Sequence, residues 1–206
     1  NEVIANVAIE KLGGRLGDYN IVHPNDHVNL GQSTNDVVPT AGKMTIIKLL
    51  QPLLENLTEL EQAFARKSEV FDSVIKMGRT QLQDAVPVRL GQEFAAYSAA
   101  ICRCRKRIDV AQEEMYAVNM GGTAIGTGIN ADLTYYNTVI KILAELTGVP
   151  YCRAENMLDG TQHIDCFAAV SSAVKDCALA LSKIANDLRL MSSGPTTKSI
   201  PSLRLV

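Results

Sequence analysis

The sequence predicts an all-α fold: an elongated bundle of long antiparallel helices joined by polar loops. Three observations carry this expectation. Leu90, Phe94, Tyr97, Ile101, Cys104, Ile108, Ala111, Met115 and Val118 alternate steps of four and three, the spacing that keeps side chains on one stripe of a helix. Phe167, Ser171, Val174, Ala178, Leu181, Ala185 and Leu188 repeat that rhythm. No stretch shows the period-two alternation of a half-buried strand.

The elements follow in order. Asn1 to about Leu12 reads as the end of a helix closed by Gly13–Gly14. Asp18 to Asn35 is rich in Asn, Asp and His and reads as loop or short turns. A long helix is expected from near Asp36, with Pro39 in its first turn, where a missing N–H costs little. Its buried face is expected to carry Leu50, Leu53, Leu57, Leu60 and Phe64. Ser73 to Pro87 reads as a second loop, followed by the first heptad seam from Leu90. Asn119 to Asn130 is a glycine-rich loop with Gly121, Gly122, Gly126 and Gly128. A shorter helix from about Leu133 to Leu146 ends at Gly148 and Pro150. The last helix runs from about Ile164 to Met191, and Gly194–Pro195 stops it. Seams of this length exceed what one helix pair needs, so some are expected to meet other subunits.

Composition narrows the function. The 206 residues carry a net charge of −2 and are 47% hydrophobic, enough to bury a sizeable core and too balanced to favour nucleic acid or a membrane surface. The basic run Arg103 to Arg107 is followed by Glu113–Glu114 and reads as a solvated helix face. No apolar run approaches the roughly 18 to 20 residues of a membrane span, and no signal peptide is expected in these residues, since Asn1, Glu2 and Glu10 interrupt any apolar stretch. Five cysteines without zinc-finger spacing read as buried thiols of a reduced cytoplasm. The chain begins with Asn1 rather than Met, so a piece of something longer is expected.

Three loops are too polar or too glycine-rich to be plain connectors. Gln32-Ser33-Thr34-Asn35-Asp36 places two hydroxyls and an amide before a helix. Free N–H groups and the positive dipole end suit an anion such as a carboxylate there, although plain N-capping explains the same residue types. Gly78 to Pro87 could align a polar substrate or form a self-satisfied turn. Gly121 to Gly128 lacks the preceding strand, Walker lysine and acidic partner of a nucleotide fingerprint, and reads as close backbone approach. His23 and His27 are four apart, but Pro24 between them favours a loop over a metal site. No metal and no cofactor is expected.

As strings, these loops resemble the aspartase/fumarase superfamily. The resemblance rests on Asn1-Glu2-Val3-Ile4-Ala5-Asn6, on His23-Pro24-Asn25-Asp26-His27-Val28-Asn29 followed by Gln32-Ser33-Thr34-Asn35-Asp36, and on Lys76-Met77-Gly78-Arg79-Thr80-Gln81-Leu82-Gln83-Asp84-Ala85-Val86-Pro87. The glycine loop and Lys183-Ile184-Ala185-Asn186-Asp187-Leu188-Arg189-Leu190 complete the series, in order, from Asn1 to Pro195. Fumarases typically have His where this chain has Gln81, and Ser-Ser where it has Ser33-Thr34, so the chain is more similar to the aspartases. A fumarase and a non-catalytic helical scaffold are the alternatives.

The resemblance implies reversible deamination of L-aspartate to fumarate and ammonia, through a carbanion held as an aci-carboxylate. By similarity Ser33 and Thr34 donate hydrogen bonds to that group, and Asn35, Thr80 and Gln81 hold the amino group. His23, Asn25 and Asp26 resemble a second, non-catalytic carboxylate site. The family is expected to form a cytoplasmic homotetramer whose active sites join loops from three subunits. Residues 1–195 then correspond to its central helical domain, without the N-terminal domain and the C-terminal signature loop, and residues 196–206 form a tail that does not match. The base serine of the family lies in Gly-Ser-Ser-x-Met-Pro-x-Lys-x-Asn. Ser192-Ser193-Gly194-Pro195 and the following Lys198 and Ser199 lack that context, so no catalytic base is assigned, and the 206 residues alone are expected not to turn over aspartate.

Overall fold

A computed structural model describes residues 1–192. Its elements are helix α1 (Glu2–Lys11), α2 (Thr34–Val70), strands β1 (Ile75–Thr80) and β2 (Gln83–Arg89), α3 (Leu90–Glu113), β3 (Ala117–Val118), α4 (Leu133–Thr147), β4 (Cys152–Arg153), the single turn α5 (Asp159–Gln162) and α6 (Asp165–Met191). The helical reading holds, and the contacts sort the chain into two compact units. One comprises residues 1–47 and 114–165, the other residues 48–113 and those from Cys166 onward.

In the second unit, α2 from Lys48 onward and α6 each run antiparallel to α3. Ser98 Oγ donates to the Glu61 carbonyl at 3.0 Å, and Arg105 pairs with the Glu61 carboxylate at 3.2 Å. The Phe64 ring lies 6.2 Å from Phe94 and 5.7 Å from Tyr97. On the other flank of α3, the Tyr97 hydroxyl donates to Asp187, and Arg107 approaches Asp176. Burial, and then the charges of Asp187 and Glu93, push the Tyr97 phenol above its ordinary range. All nine residues of the seam predicted from Leu90 to Val118 are buried, but the helix ends at Glu113, short of the expected length, and Met115 and Val118 follow in a 3-10 turn and in β3. Gly91 is required at the head of α3, because a Cβ there would meet the Ser68 carbonyl at 2.4 Å.

The α6 seam lies one residue away from its predicted line. The buried residues are Cys166, Val170, Ala173, Cys177, Ile184 and Met191, while Ser171, Val174, Ala178 and Ala185 are exposed. Apolar side chains line two adjacent stripes of this helix. The buried stripe is the one that meets α3, where Cys104 and Cys177 come into hydrogen-bonding contact. Cys104, Cys166 and Cys177 are buried as expected, whereas Cys102 is half-buried and Cys152 exposed.

The expected loop after α2 is a β-hairpin. Lys76 pairs with Val88 and Thr80 with Gln83, leaving a two-residue turn at Gln81–Leu82. Both turn residues have positive φ, 50° and 64°, as the type I′ turn demands. The usual signal, Asn-Gly or Asp-Gly, is absent from this turn, where Gln81-Leu82 stands instead, which is why the hairpin reads as loop.

In the first unit α1 buries Ala5 and Ile9. Pro24–Val28 forms one turn of π-helix rather than loop. The glycine loop makes close backbone contacts, since a Cβ on Gly126 would sit 2.4 Å from the Met157 carbonyl. Beyond it β3 and β4 pair in parallel, and Arg153 lies 3.7 Å over the Tyr136 ring while donating to the Tyr136 carbonyl. Asp132 caps α4, accepting from the Thr134 and Tyr135 amides at 2.8 and 3.1 Å. Those amides hold its carboxyl below the usual aspartate range. A depressed folded-state pKa means that the cap stabilises above the unfolded pKa and fades as pH falls through the folded one. Asp132→Ala is therefore expected to lower the melting temperature at pH 7, and this deficit is expected to shrink as the pH is taken below about 4. Melting curves of both proteins across that range check it. Among the described residues, no helix is long and apolar enough to cross a membrane.

Candidate functional site

Helix α2 begins at Thr34, two residues before the predicted start, because Ser33 and Asp36 form a capping box. Ser33 Oγ accepts from the Asn35 amide at 3.3 Å, and Asp36 Oδ1 accepts from the Ser33 amide at 2.9 Å. Pro39 thus lies in the second turn. It has no N–H for the Asn35 carbonyl four residues back, and Asn119 Nδ2 donates to that carbonyl at 3.0 Å instead. The same Nδ2 donates to Thr161 Oγ1.

The first turns of α2 are tied to the glycine loop at two further points. Asn35 Nδ2 donates to the Ala124 carbonyl at 2.8 Å. Asp36 Oδ2 accepts from the Gly121 and Thr123 amides at 3.1 and 3.0 Å. The Asp36 carboxylate therefore accepts three backbone N–H bonds, and Asp36 is fully buried. Thr40 and Lys43 continue this polar stripe up α2, with Lys43 Nζ donating to the Ala117 carbonyl. The hydroxyls of Thr40, Thr123 and Tyr135 and the Asn119 Oδ1 are buried without a hydrogen-bond partner. Burial, and then the charge of Asp36, hold the Tyr135 phenol above its ordinary range.

Ser33 is half-buried, while Thr34 and Asn35 are exposed. The structure brings these three residues together in the first unit. Thr80 and Gln81 belong to the second, at the end of β1 and in its I′ turn, both exposed. The alternating strand and the positive φ of Gln81 fix how the hairpin presents them.

His23, Asn25 and Asp26 share the π-turn. The His23 Nδ1 accepts from the Asn25 and Asp26 amides at 3.3 and 3.1 Å. The Asp26 carboxylate stands 3.2 Å from the same Nδ1. His27 Nδ1 accepts from the His23 amide at 2.8 Å. Both imidazoles thus use Nδ1 to hold the turn. No group of three or more His, Cys, Asp or Glu stands where it could hold a metal ion among the described residues. A hollow of about 540 Å³ nearby is lined by His27, Gln32, Asp132 and Tyr135 but by none of the residues expected to bind substrate. Lys198 and Ser199 lie outside the described residues.

Sequence reasoning missed the roles of Asp36 and Asn119. The Ser-x-x-Asp spacing signals the cap, but nothing local signals that the second carboxylate oxygen reaches residues more than eighty positions away.

Comparison with known proteins identifies the family. A family model described as Lyase matches residues 1–202. The chain is 53% identical over 195 residues to the aspartate ammonia-lyase of Bacillus subtilis, and 48% identical over 195 residues to that of Helicobacter pylori. These alignments cover 95% of the chain but 41% and 42% of the relatives, so the chain spans about two fifths of the curated relatives' length. Among solved structures, a fumarate lyase:delta crystallin from Brucella melitensis bound to cobalt superposes with a TM-score of 0.89 at 46% identity, covering 94% of this chain and 42% of that one. A class II fumarase from Schistosoma mansoni gives 0.86 at 33% identity, covering 94% and 44%. The fold is that of the helical fumarate lyases. The chain belongs to the lyase family.

Proposed function

We propose that the protein carrying this chain is an aspartate ammonia-lyase that converts L-aspartate reversibly into fumarate and ammonia. The observation that carries the reading is the polarity of the Ser33-Thr34-Asn35 turn. Asn35 spends its amide N–H on the Ala124 carbonyl, which leaves Oδ1, an acceptor suited to an ammonium group. Ser33 Oγ accepts from the Asn35 amide, which leaves its proton to donate. Removal of the weakly acidic proton beside the β-carboxylate puts a second negative charge on that group. Donors placed where the charge develops lower the barrier. Ser33 and Thr34 supply two such donors at the start of a long helix, whose positive dipole end adds to them.

Thr80 and Gln81 hold the amino group in this reading, presented by the hairpin turn. His23, Asn25 and Asp26 form a secondary carboxylate-binding turn. The protein acts as a homotetramer in the cytoplasm, with loops from several copies completing each active site. The base serine is supplied by a segment of the Gly-Ser-Ser-x-Met-Pro-x-Lys-x-Asn type, which the chain does not match after α6. No cofactor is required.

The test is an assay of the full-length natural protein on L-aspartate and on L-malate, following fumarate by its absorbance. Fumarate from aspartate and none from malate is the expected result. Turnover of malate alone would replace this reading by fumarate hydration, and turnover of neither would leave a helical scaffold.

A further inference from the structure

We propose that Asp36 is a positioning residue for the reaction, holding the Ser33-Thr34-Asn35 turn in register with the glycine loop; this rests on the lyase reading above. A capping box needs only one acceptor at its third position, and Asp36 Oδ1 provides it to the Ser33 amide. The other oxygen binds the Gly121 and Thr123 amides, 85 and 87 residues away in sequence. One rigid group therefore sets the distance between the backbone of the hydroxyl-bearing turn and the loop whose Ala124 carbonyl orients Asn35. Asn119 closes the same frame from the other side, through the carbonyl that Pro39 leaves unpaired. Asp36 and Asn119 are 0% and 1% exposed, so neither reaches a ligand. Each acts through Ser33, Thr34 or Asn35.

Asp36→Asn keeps the shape and replaces one acceptor oxygen by a donor. Its NH₂ must face either the Ser33 amide or the Gly121–Thr123 pair, and half of the clamp opens. A small misplacement of donors weakens binding of the charge-developed state far more than binding of the ground state. In the full-length protein, kcat on aspartate is expected to fall about 100-fold with KM changed less than about threefold. Affinity for a nitronate analogue, isosteric with the aci-carboxylate, is expected to fall in step with kcat/KM, while succinate binding stays within about threefold of the parent.

A variant with kcat within about threefold of the parent overturns the proposal, as does equal loss of nitronate and succinate binding, which marks a merely structural role. If Asp36→Asn does not fold, Asn119→Ala decides by the same selective loss of nitronate affinity. A parent protein that deaminates no aspartate overturns the lyase reading and this inference with it. An active parent with an indifferent variant overturns the inference alone.

Discussion

Truncating Phe94 to alanine is expected to destabilise the protein by about 3–5 kcal/mol, the range for removing a large aromatic side chain from a packed core. Phe94 is 1% exposed and stands at the meeting point of three other rings. Phe64, Phe71 and Tyr97 have centroids 6.2, 5.2 and 5.7 Å from it, tilted or edge-on. Deleting the ring removes its transfer free energy and these aromatic pairings together. The cavity cannot close easily. The start of α3 already touches the Ser68 carbonyl and Asp72 backbone around Gly91, so the helices have no room to collapse. Phe94→Leu refills most of the volume and is expected to recover more than half of the loss. Thermal and denaturant unfolding of the three proteins checks both. A Phe94→Ala protein as stable as the parent would mean that the ring is not a core element.

Replacing Ser33 by alanine is expected to lower kcat/KM on aspartate about 100- to 1,000-fold in the full-length protein, the usual cost of one lost donor to a developing oxyanion. The effect is expected in kcat rather than KM, because the second charge exists only after proton removal. Stability should change much less, since Asp36 continues to hold the Ser33 amide. Steady-state kinetics beside a melting curve separate the two. A Ser33→Ala enzyme with parental kcat would remove the hydroxyl from the chemistry and leave it as a helix cap.

Much of the fold is legible in the sequence. Along α3 the seam from Leu90 to Ala111 is buried residue for residue, because its apolar side chains are regularly spaced and flanked by charges, so only one stripe can face inward. On α2, Leu50, Leu57 and Phe64 are buried for the same reason, with Leu53 and Leu60 half-buried at the margin. The α6 helix lacks that contrast. Val174 and Leu181 lie on one stripe, Val170 and Ile184 on the next, and hydrophobicity alone does not rank them. What ranks them is the partner helix, since the stripe with Cys177 is the one that meets α3, at Cys104.

The candidate site divides in the same way. Ser33, Thr34, Asn35, Thr80 and Gln81 are named by motif resemblance. The hairpin that carries Thr80 and Gln81 is not visible locally, because its turn is Gln-Leu in a conformation that sequence reading assigns to Asn-Gly. The double duty of Asp36 is equally invisible. A residue three positions after a serine at a helix start reads fully as a cap, and its second oxygen finds partners only when the glycine loop arrives.

The sequence by itself determines which segments are helical, where they start and stop within a few residues, and which loops carry polar chemistry, since periodicity, caps and breakers act over a few neighbouring residues. The tertiary structure decides which of two apolar stripes of α6 is buried, that residues 75–89 pair as a hairpin, and that the Asp36 carboxylate joins two distant loops. Those outcomes depend on volumes and hydrogen-bond partners supplied by residues far away in the chain, and no local pattern contains them.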